Sequence, residues 1–136
     1  MKIYPDPHII IFNPIGESSI GYISVTELDK DVSFIIKRIY WTYYTPESIV
    51  RGRHAHKETE QILIAISGRI IVNLQFSKEN TVQTYILEHP KQGLYIPPLA
   101  WHTMQYSHNA TQLVLASKEY DEKDYIRNYD EFKKIL

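Results

Sequence analysis

Two histidines, His54 and His56, stand two positions apart in the polar segment formed by residues 51–61. In a β-strand the side chains at positions i and i+2 lie on one face, so this pair presents two imidazoles side by side. An imidazole can hold a divalent metal, and it can also exchange a proton near neutral pH. The pair therefore predicts an active site and leaves two chemistries open.

The first chemistry is metal-dependent. Glu60 follows the histidine pair after three residues, and His102 comes later in the chain. Three imidazoles and one carboxylate suit iron, manganese, nickel or zinc, so His54, His56, Glu60 and His102 would be the ligands of an oxygenase or isomerase.

The second chemistry is proton transfer without a cofactor. An imidazole with a pKa near 6.5 can take a proton next to a carbonyl and return it to the neighbouring carbon, as isomerases and epimerases do. A third alternative is a protein that only binds a sugar or an effector, although a pure binder has little need for two imidazoles on one strand face.

Short runs rich in Ile, Val, Tyr and Thr, interrupted by Gly, Pro, Asn and Ser, predict the strands that position these residues. Nine strands are predicted, over residues 20–27, 35–44, 53–56, 61–67, 69–76, 81–87, 93–96, 102–106 and 111–117. Ser67 and Gly68 predict a turn between two apolar runs, and residues 77–80 predict the loop of a second hairpin. The pattern indicates an all-β sandwich or jelly-roll barrel.

The C-terminal segment, residues 121–136, has a different pattern. Tyr125, Tyr129, Phe132 and Leu136 recur every three or four positions among charged residues, which predicts a short amphipathic helix. We expect this helix to cap the barrel or a neighbouring subunit.

Length and composition exclude several classes of protein. The 136 residues fit one domain, and 16 acidic against 15 basic residues give a formal charge of −1, which offers no general attraction to nucleic acid or anionic membranes. No apolar run approaches the roughly 18 residues of a membrane span, and residues 1–6 lack the apolar stretch of a signal peptide, so we expect a cytoplasmic protein. The chain has no cysteine, so a metal would need His and carboxylate ligands.

Two known signatures can be recognised in the polar segments. The spacing of His54, His56 and Glu60 resembles the first signature of the cupin barrels, and Gly93, Pro97 and His102 resemble the second. Residues 51–61, 93–102 and 115–127 together resemble the cupin sugar 3,4-ketoisomerases, with similarity from about residue 21 to the C-terminus. The resemblance implies a cupin jelly-roll β-barrel that moves the ketone of dTDP-4-keto-6-deoxyglucose from carbon 4 to carbon 3, in the synthesis of dTDP-linked amino sugars.

The resemblance also implies the site residues. His56 matches the base that removes the proton from carbon 3 to give an enediol, and His54 beside it orients the base or relays a proton. Tyr40 matches a tyrosine of the catalytic pocket. The expected substrate-binding residues are Arg51, Arg38, His102 and Glu60. The planar guanidinium group of Arg51 can form paired hydrogen bonds with an oxyanion or a diphosphate.

Cofactors and partners follow from the same resemblance. The family reaction proceeds without metal or other cofactor, because hydrogen-bond donors aimed at an oxyanion can replace a Lewis acid. Members are homodimers that exchange N-terminal strands, which fits the apolar run at residues 9–12 and predicts exchange of residues 1–19. An aminotransferase would act next. His102 favours the galacto product, whereas Ile20 departs from the arginine found in galacto-forming members.

Overall fold

The computed structural model describes residues 2–76 and 81–136. This part of the chain is almost entirely β-structure. The strands are β1 (His8–Ile11), β2 (Pro14–Glu17), β3 (Gly21–Ser24), β4 (Arg38–Tyr43), β5 (Val50–His56), β6 (Gln61–Ser67), β7 (Ile70–Phe76), β8 (Val82–Leu87), β9 (Gln92–Ile96), β10 (Ala100–Tyr106), β11 (Thr111–Ala116) and β12 (Tyr125–Ile126). One short helix, α1 (Tyr129–Lys133), follows β12.

The strands form two five-stranded antiparallel sheets. The first has the order β1-β9-β6-β11-β4 and the second the order β12-β5-β10-β7-β8, while β2 and β3 form a separate hairpin. Sequence neighbours such as β5 and β6 lie in different sheets, so the chain crosses repeatedly between them, as in a jelly roll. The all-β prediction is confirmed, and the nine predicted strands are present with shifted ends.

The hydrophobic core lies between the two sheets and is set by the alternation of side chains along β6. Leu63 and Ala65 pack into the main core with Val72 of β7 and Met104 of β10. Ile62 and Ile64 face the other way and pack with aromatic residues of the N-terminal region. Odd-numbered positions of β6 therefore point between the sheets, and even-numbered positions point away.

The predicted turn at Ser67 and Gly68 is present, but it does not connect a hairpin. Gly68 has a φ of +70°, and a side chain there would meet the Ala110 backbone at 2.6 Å. The strands on its two sides, β6 and β7, belong to different sheets, so this turn is a crossover between sheets. β7 and β8 do pair as antiparallel neighbours, and the loop predicted at 77–80 lies outside the described residues.

The predicted helix over residues 121–136 is wrong in its extent. A 3₁₀ turn covers Glu122–Asp124, β12 follows, and the α-helix is confined to α1. Asp124 anchors the segment, because its carboxylate accepts a hydrogen bond from the Glu58 backbone N–H and its carbonyl accepts one from Lys57. Pairing of β12 with β5 then keeps the backbone extended until Asn128 caps α1.

The exchange of residues 1–19 between subunits stays a prediction. β1 pairs with β9 of the same chain, so residues 8–11 are already part of the first sheet. Every residue of β2 and β3 is exposed. No helix in the described part of the chain is long and apolar enough to cross a membrane.

Candidate active site

Three histidine side chains lie next to one another on two neighbouring strands of the second sheet. His54 and His56 lie on β5, and His102 lies opposite His54 on the neighbouring strand β10. The centroid of the His54 ring lies 5.0 Å from that of His56 and 4.7 Å from that of His102. The structure thus brings together the histidine pair and the third histidine that the sequence predicted.

A β-bulge at Gly52 and Arg53 sets the direction of His54. Both residues have positive φ, +88° and +58°, and the pairing of β5 with β10 shifts register here. A Cβ on Gly52 would stand 2.9 Å from the His102 carbonyl oxygen, so only glycine fits this close approach. The bulge places the Gly52 carbonyl where His54 Nδ1 donates to it at 3.0 Å.

Each of the three imidazoles uses Nδ1 as the hydrogen-bond donor. His102 Nδ1 donates to the Ala100 carbonyl at 3.0 Å, and His56 Nδ1 donates to Asp124 Oδ2 at 3.3 Å. A neutral imidazole protonated at Nδ1 has its lone pair on Nε2. In the described part of the chain, Nε2 of His54 and Nε2 of His56 are buried and have no hydrogen-bond partner. Two basic nitrogens are therefore ready to accept protons.

Burial keeps these imidazoles uncharged. Desolvation and the neighbouring His56 lower the pKa of His54 to about 4. Desolvation, followed by the proximity of His102, lowers the pKa of His56 to about 3, although Asp124 acts in the opposite direction. Desolvation and His54 also lower the pKa of His102 to about 3. At neutral pH the cluster is thus composed of neutral bases.

Asp124 is a site residue that no sequence reasoning singled out. Its buried carboxylate accepts hydrogen bonds from the Glu58 N–H at 2.8 Å, from the Thr59 hydroxyl and from His56 Nδ1. It fixes the tautomer of His56 and would stabilise an imidazolium there. The one signal in the sequence was its place inside the third matching segment, residues 115–127.

A cavity of about 450 Å³ opens next to His54. Its wall is rich in arginine and tyrosine and consists of Arg38, Tyr40, Thr42, Arg51, Gly52, His54, Met104, Tyr106, Gln112, Tyr120, Tyr125 and Arg127. His56 and His102 are not among the residues that line it. A guanidinium group can form two parallel hydrogen bonds with a phosphate, and tyrosine hydroxyls can bind sugar oxygens. This cavity therefore suits a polar anionic ligand.

Tyr40 and Arg38 are ordered by contacts within this wall. The Tyr40 hydroxyl accepts a hydrogen bond from Gln61 Nε2 at 2.8 Å, and the Arg38 guanidinium stands 5.2 Å above the Tyr40 ring. Burial, with Tyr125 nearby, raises the pKa of Tyr40 to about 12. Tyr40 therefore keeps its proton at neutral pH and can donate it. Arg51 is exposed at the rim of the same cavity.

Glu60 does not join the histidines. It stands on the even-numbered face at the start of β6, where its carboxylate accepts a hydrogen bond from Tyr95 at 2.7 Å and lies 3.7 Å from Lys2 Nζ. The inward position next to it belongs to Gln61. The described residues therefore do not form the four-ligand metal site of the metal-dependent alternative, and Glu60 is not part of the cavity wall.

The three imidazoles by themselves fit a divalent cation. Their ligand nitrogens lie within 4.8 Å of one another. Each Nδ1 is bound to a carbonyl or a carboxylate, which is also how ligating histidines are oriented in metal sites. Neutral proton transfer and a three-histidine metal site are both compatible with this geometry.

Comparison with known proteins assigns the chain to a family. Residues 5–136 match the family model described as "FdtA: WxcM-like, C-terminal". The chain belongs to this family. It is 40% identical over 129 residues to the TDP-4-oxo-6-deoxy-alpha-D-glucose-3,4-oxoisomerase of Aneurinibacillus thermoaerophilus, with 94% of this chain and 91% of that protein covered.

Solved structures agree with this FdtA-type assignment. A 3,4-ketoisomerase from Helicobacter canadensis superposes with a TM-score of 0.89 at 38% identity, covering 97% of this chain and 98% of that one. A histidine-to-asparagine variant of the 3,4-ketoisomerase QdtA from Thermoanaerobacterium thermosaccharolyticum, in complex with TDP-4-keto-6-deoxyglucose, superposes with a TM-score of 0.89 at 34% identity, covering 97% and 94%. The cupin jelly-roll fold expected from the sequence is confirmed.

Proposed function

We propose that this protein is a TDP-sugar 3,4-ketoisomerase that converts dTDP-4-keto-6-deoxyglucose into its 3-keto isomer. The activities named for its relatives support this function. So does the QdtA variant that holds the 4-keto sugar. The observation in this chain that carries the proposal is a cluster of neutral histidines, of which His54 lies at the wall of a cavity rich in arginine and tyrosine.

We assign the base at carbon 3 to His54. It is the one member of the histidine cluster that lines the cavity, whereas His56 is 2% exposed and is absent from the cavity wall. The resemblance had implied His56 as the base and His54 as its support. Under this assignment Asp124 accepts the Nδ1–H of the neutral His56, whose ring lies 5.0 Å from that of His54.

The reaction balances with two groups that exchange protons. His54 Nε2 takes the hydrogen from carbon 3 while the Tyr40 hydroxyl gives its proton to the oxygen on carbon 4, which yields a neutral enediol. The His54 imidazolium then returns a proton to carbon 4, and Tyr40 recovers one from the oxygen on carbon 3, so the ketone forms there. Arg38, above the Tyr40 ring, stabilises the transient tyrosinate.

Turnover in deuterated water tests this mechanism. The proton held on His54 Nε2 should exchange with solvent in a fraction of the turnovers before it returns, and those turnovers should give product with deuterium at carbon 4. His54→Asn should abolish both isomerisation and exchange of the hydrogen on carbon 3, whereas His56→Asn should slow turnover yet retain slow exchange. The exposed His89 provides a matched His→Asn control that should leave the rate unchanged. Exchange at the normal rate in His54→Asn, together with its loss in His56→Asn, would return the role of base to His56.

We propose that the reaction needs no metal. Treatment with a chelator, followed by metal analysis, separates this mechanism from the metal-dependent alternative at His54, His56 and His102. The chelated protein should keep its full rate. Activity that disappears with the metal and returns on its addition would establish the metal-dependent reaction instead.

We propose a homodimer that exchanges the β2–β3 hairpin. The hairpin exposes the large apolar side chains of Ile15, Tyr22 and Ile23, and β4 is an edge strand whose outward Trp41 is 60% exposed. An apolar hairpin and a free sheet edge can cover each other across two copies. Light scattering should give twice the mass of one chain, and Ile15→Asp with Ile23→Asp should give monomers.

The 3-keto product indicates which class of reaction would follow. A ketone on carbon 3 is the group that a transamination consumes, so we propose an aminotransferase as the next enzyme, in the cytoplasm. His102 supports the galacto configuration, and NMR of the product would distinguish the galacto from the gluco isomer.

A further inference from the structure

Gln61 is a buried polar residue for which the mechanism above has no use. It begins β6, between β9 and β11, and is fully buried. Its odd number places it on the inward face, with Leu63 and Ala65. Its Nε2 donates to the Tyr40 hydroxyl at 2.8 Å, while its Oε1 has no partner among the described residues.

This hydrogen bond controls where the Tyr40 proton can point. A phenol oxygen has one proton to donate and accepts through its lone pairs. When the amide N–H of Gln61 occupies the accepting side, Tyr40 has to direct its own O–H away from Gln61. Tyr40 lines the cavity, so the remaining direction leads toward the ligand.

We propose that Gln61 is a positioning residue that holds the Tyr40 O–H toward the oxygen on carbon 4 of the sugar. The inference rests on the proposed function of Tyr40 as the proton donor. Gln61 itself does not line the cavity and acts through Tyr40. It also explains why an amide stands at this inward position, because an ionised carboxylate would accept the Tyr40 proton and turn the hydroxyl away from the sugar.

Gln61→Glu and Gln61→Met separate this role from simple packing. Gln61→Met removes the donor, and we expect kcat to fall about tenfold at every pH. Gln61→Glu should approach the normal rate while the introduced carboxyl is protonated, and lose about 100-fold in kcat once it ionises. Burial raises the pKa of such a carboxyl, so this loss should appear as pH rises from 5 to 9.

The surroundings of Tyr40 keep that pH profile interpretable. The groups that face it are Arg38 on β4, Tyr106 on β10 and Tyr125 on β12, none of which is a carboxylate. Gln83→Glu is the matched control, because Gln83 pairs with Tyr85 on β8, outside the cavity. It should leave the pH profile of turnover unchanged.

A double-mutant cycle with Tyr40→Phe completes the test. In the Tyr40→Phe background, Gln61→Glu should cause no further pH-dependent loss, because no hydroxyl remains to direct. If Tyr40→Phe strongly lowers kcat but Gln61→Glu follows the normal pH profile, or lowers kcat by the same factor in both backgrounds, the inference about Gln61 is wrong and the function of Tyr40 stands. If Tyr40→Phe keeps the full rate, the proposed function of Tyr40 fails first, and the inference with it.

Discussion

The chemistry of the site depends on a carboxylate that never touches the cavity. Asp124 holds Nδ1 of His56, and His56 in turn lies against His54. Without that carboxylate, His56 could adopt either tautomer, and positive charge on the cluster would be unsupported in a buried setting. The carboxylate therefore governs the rate of proton transfer more than the binding of the sugar.

Asp124→Asn should lower kcat about 100-fold and change KM little, since Asp124 is absent from the cavity wall. Steady-state kinetics from pH 6 to 9 would measure both constants. Asp130→Asn, at an exposed position on α1, is the matched control. A rise in KM with an unchanged kcat would show that Asp124 acts on binding instead. Thermal unfolding of each variant would confirm that the fold is retained.

At the level of elements, β5 owes its function to a bulge that a regular strand would lack. The left-handed backbone at Gly52 and Arg53 turns the Gly52 carbonyl toward His54 and lets β5 pass close to His102. A strand without the bulge would shift the register, and the two histidines would then leave the inner face. The bulge is thus part of the active site.

Gly52→Ala should inactivate the enzyme and lower the free energy of unfolding by about 1–3 kcal/mol, because the new Cβ meets the His102 carbonyl at 2.9 Å. Urea unfolding and turnover would measure the two effects. Gly21 has a similar φ of +86°, but apart from its chain neighbours no atom of the described residues lies within 4 Å of the position that a Cβ would take. Gly21→Ala therefore measures how much the positive φ alone lowers the free energy of unfolding. Equal losses in both variants would contradict a specific function of the close approach at Gly52.

The C-terminal segment is a second functional element. Phe132 of α1 is fully buried with Ala55 and Ile126, and Trp101 packs against this group. This cluster secures β12, whose Tyr125 forms part of the cavity wall and contacts the His56 ring at 4.4 Å. Packing of α1 is therefore linked to the shape of the cavity.

Phe132→Ala should lower the free energy of unfolding by about 3–4 kcal/mol, because it leaves a cavity in this cluster. KM for the sugar nucleotide should rise as the wall formed by β12 loosens. Urea unfolding and steady-state kinetics would check both outcomes. Tyr129→Ala truncates a partly exposed neighbour on the same helix and should cost less stability. A destabilised Phe132→Ala protein with a normal KM would show that α1 does not support the cavity.

The sequence predicted what local alternation and spacing encode. It located β6 at residues 61–67 and placed the three histidines together. It failed where contacts between residues far apart in the sequence determine the structure. Asp124 lies 68 positions from His56, and its anchoring of the chain replaced the predicted helix with a turn and a strand. The break in alternation between β5 and β6 put Gln61, and not Glu60, on the inner face, which no spacing rule reveals.

For the molecule as a whole, the buried histidines couple stability to pH. Their pKa values in the folded protein, about 3 to 4, lie below the value near 6.5 of an unfolded chain. Below pH 6.5 the unfolded chain binds protons that the folded protein cannot take up. Stability from this source is therefore complete above pH 6.5 and is lost as the pH falls toward about 4.

Urea unfolding at fixed protein concentration should show a falling free energy of unfolding between pH 6.5 and pH 4. Each histidine contributes at most about 1.4 kcal/mol per pH unit. His54→Asn removes one of the three groups and should give a shallower slope over that interval. A slope equal to that of the unsubstituted protein would place the acid sensitivity elsewhere.

The position of β12 at the end of the chain has a consequence for synthesis. A ribosome makes the N-terminal part of a chain first, so β5 and β10 with their histidines are complete before Asp124, Tyr125 and Arg127 exist. A nascent or prematurely terminated chain then holds three imidazoles. It lacks both the Asp124 carboxylate, which accepts the hydrogen bond from His56, and the part of the cavity wall formed by Tyr125 and Arg127. A fragment that ends before residue 124 should therefore be inactive.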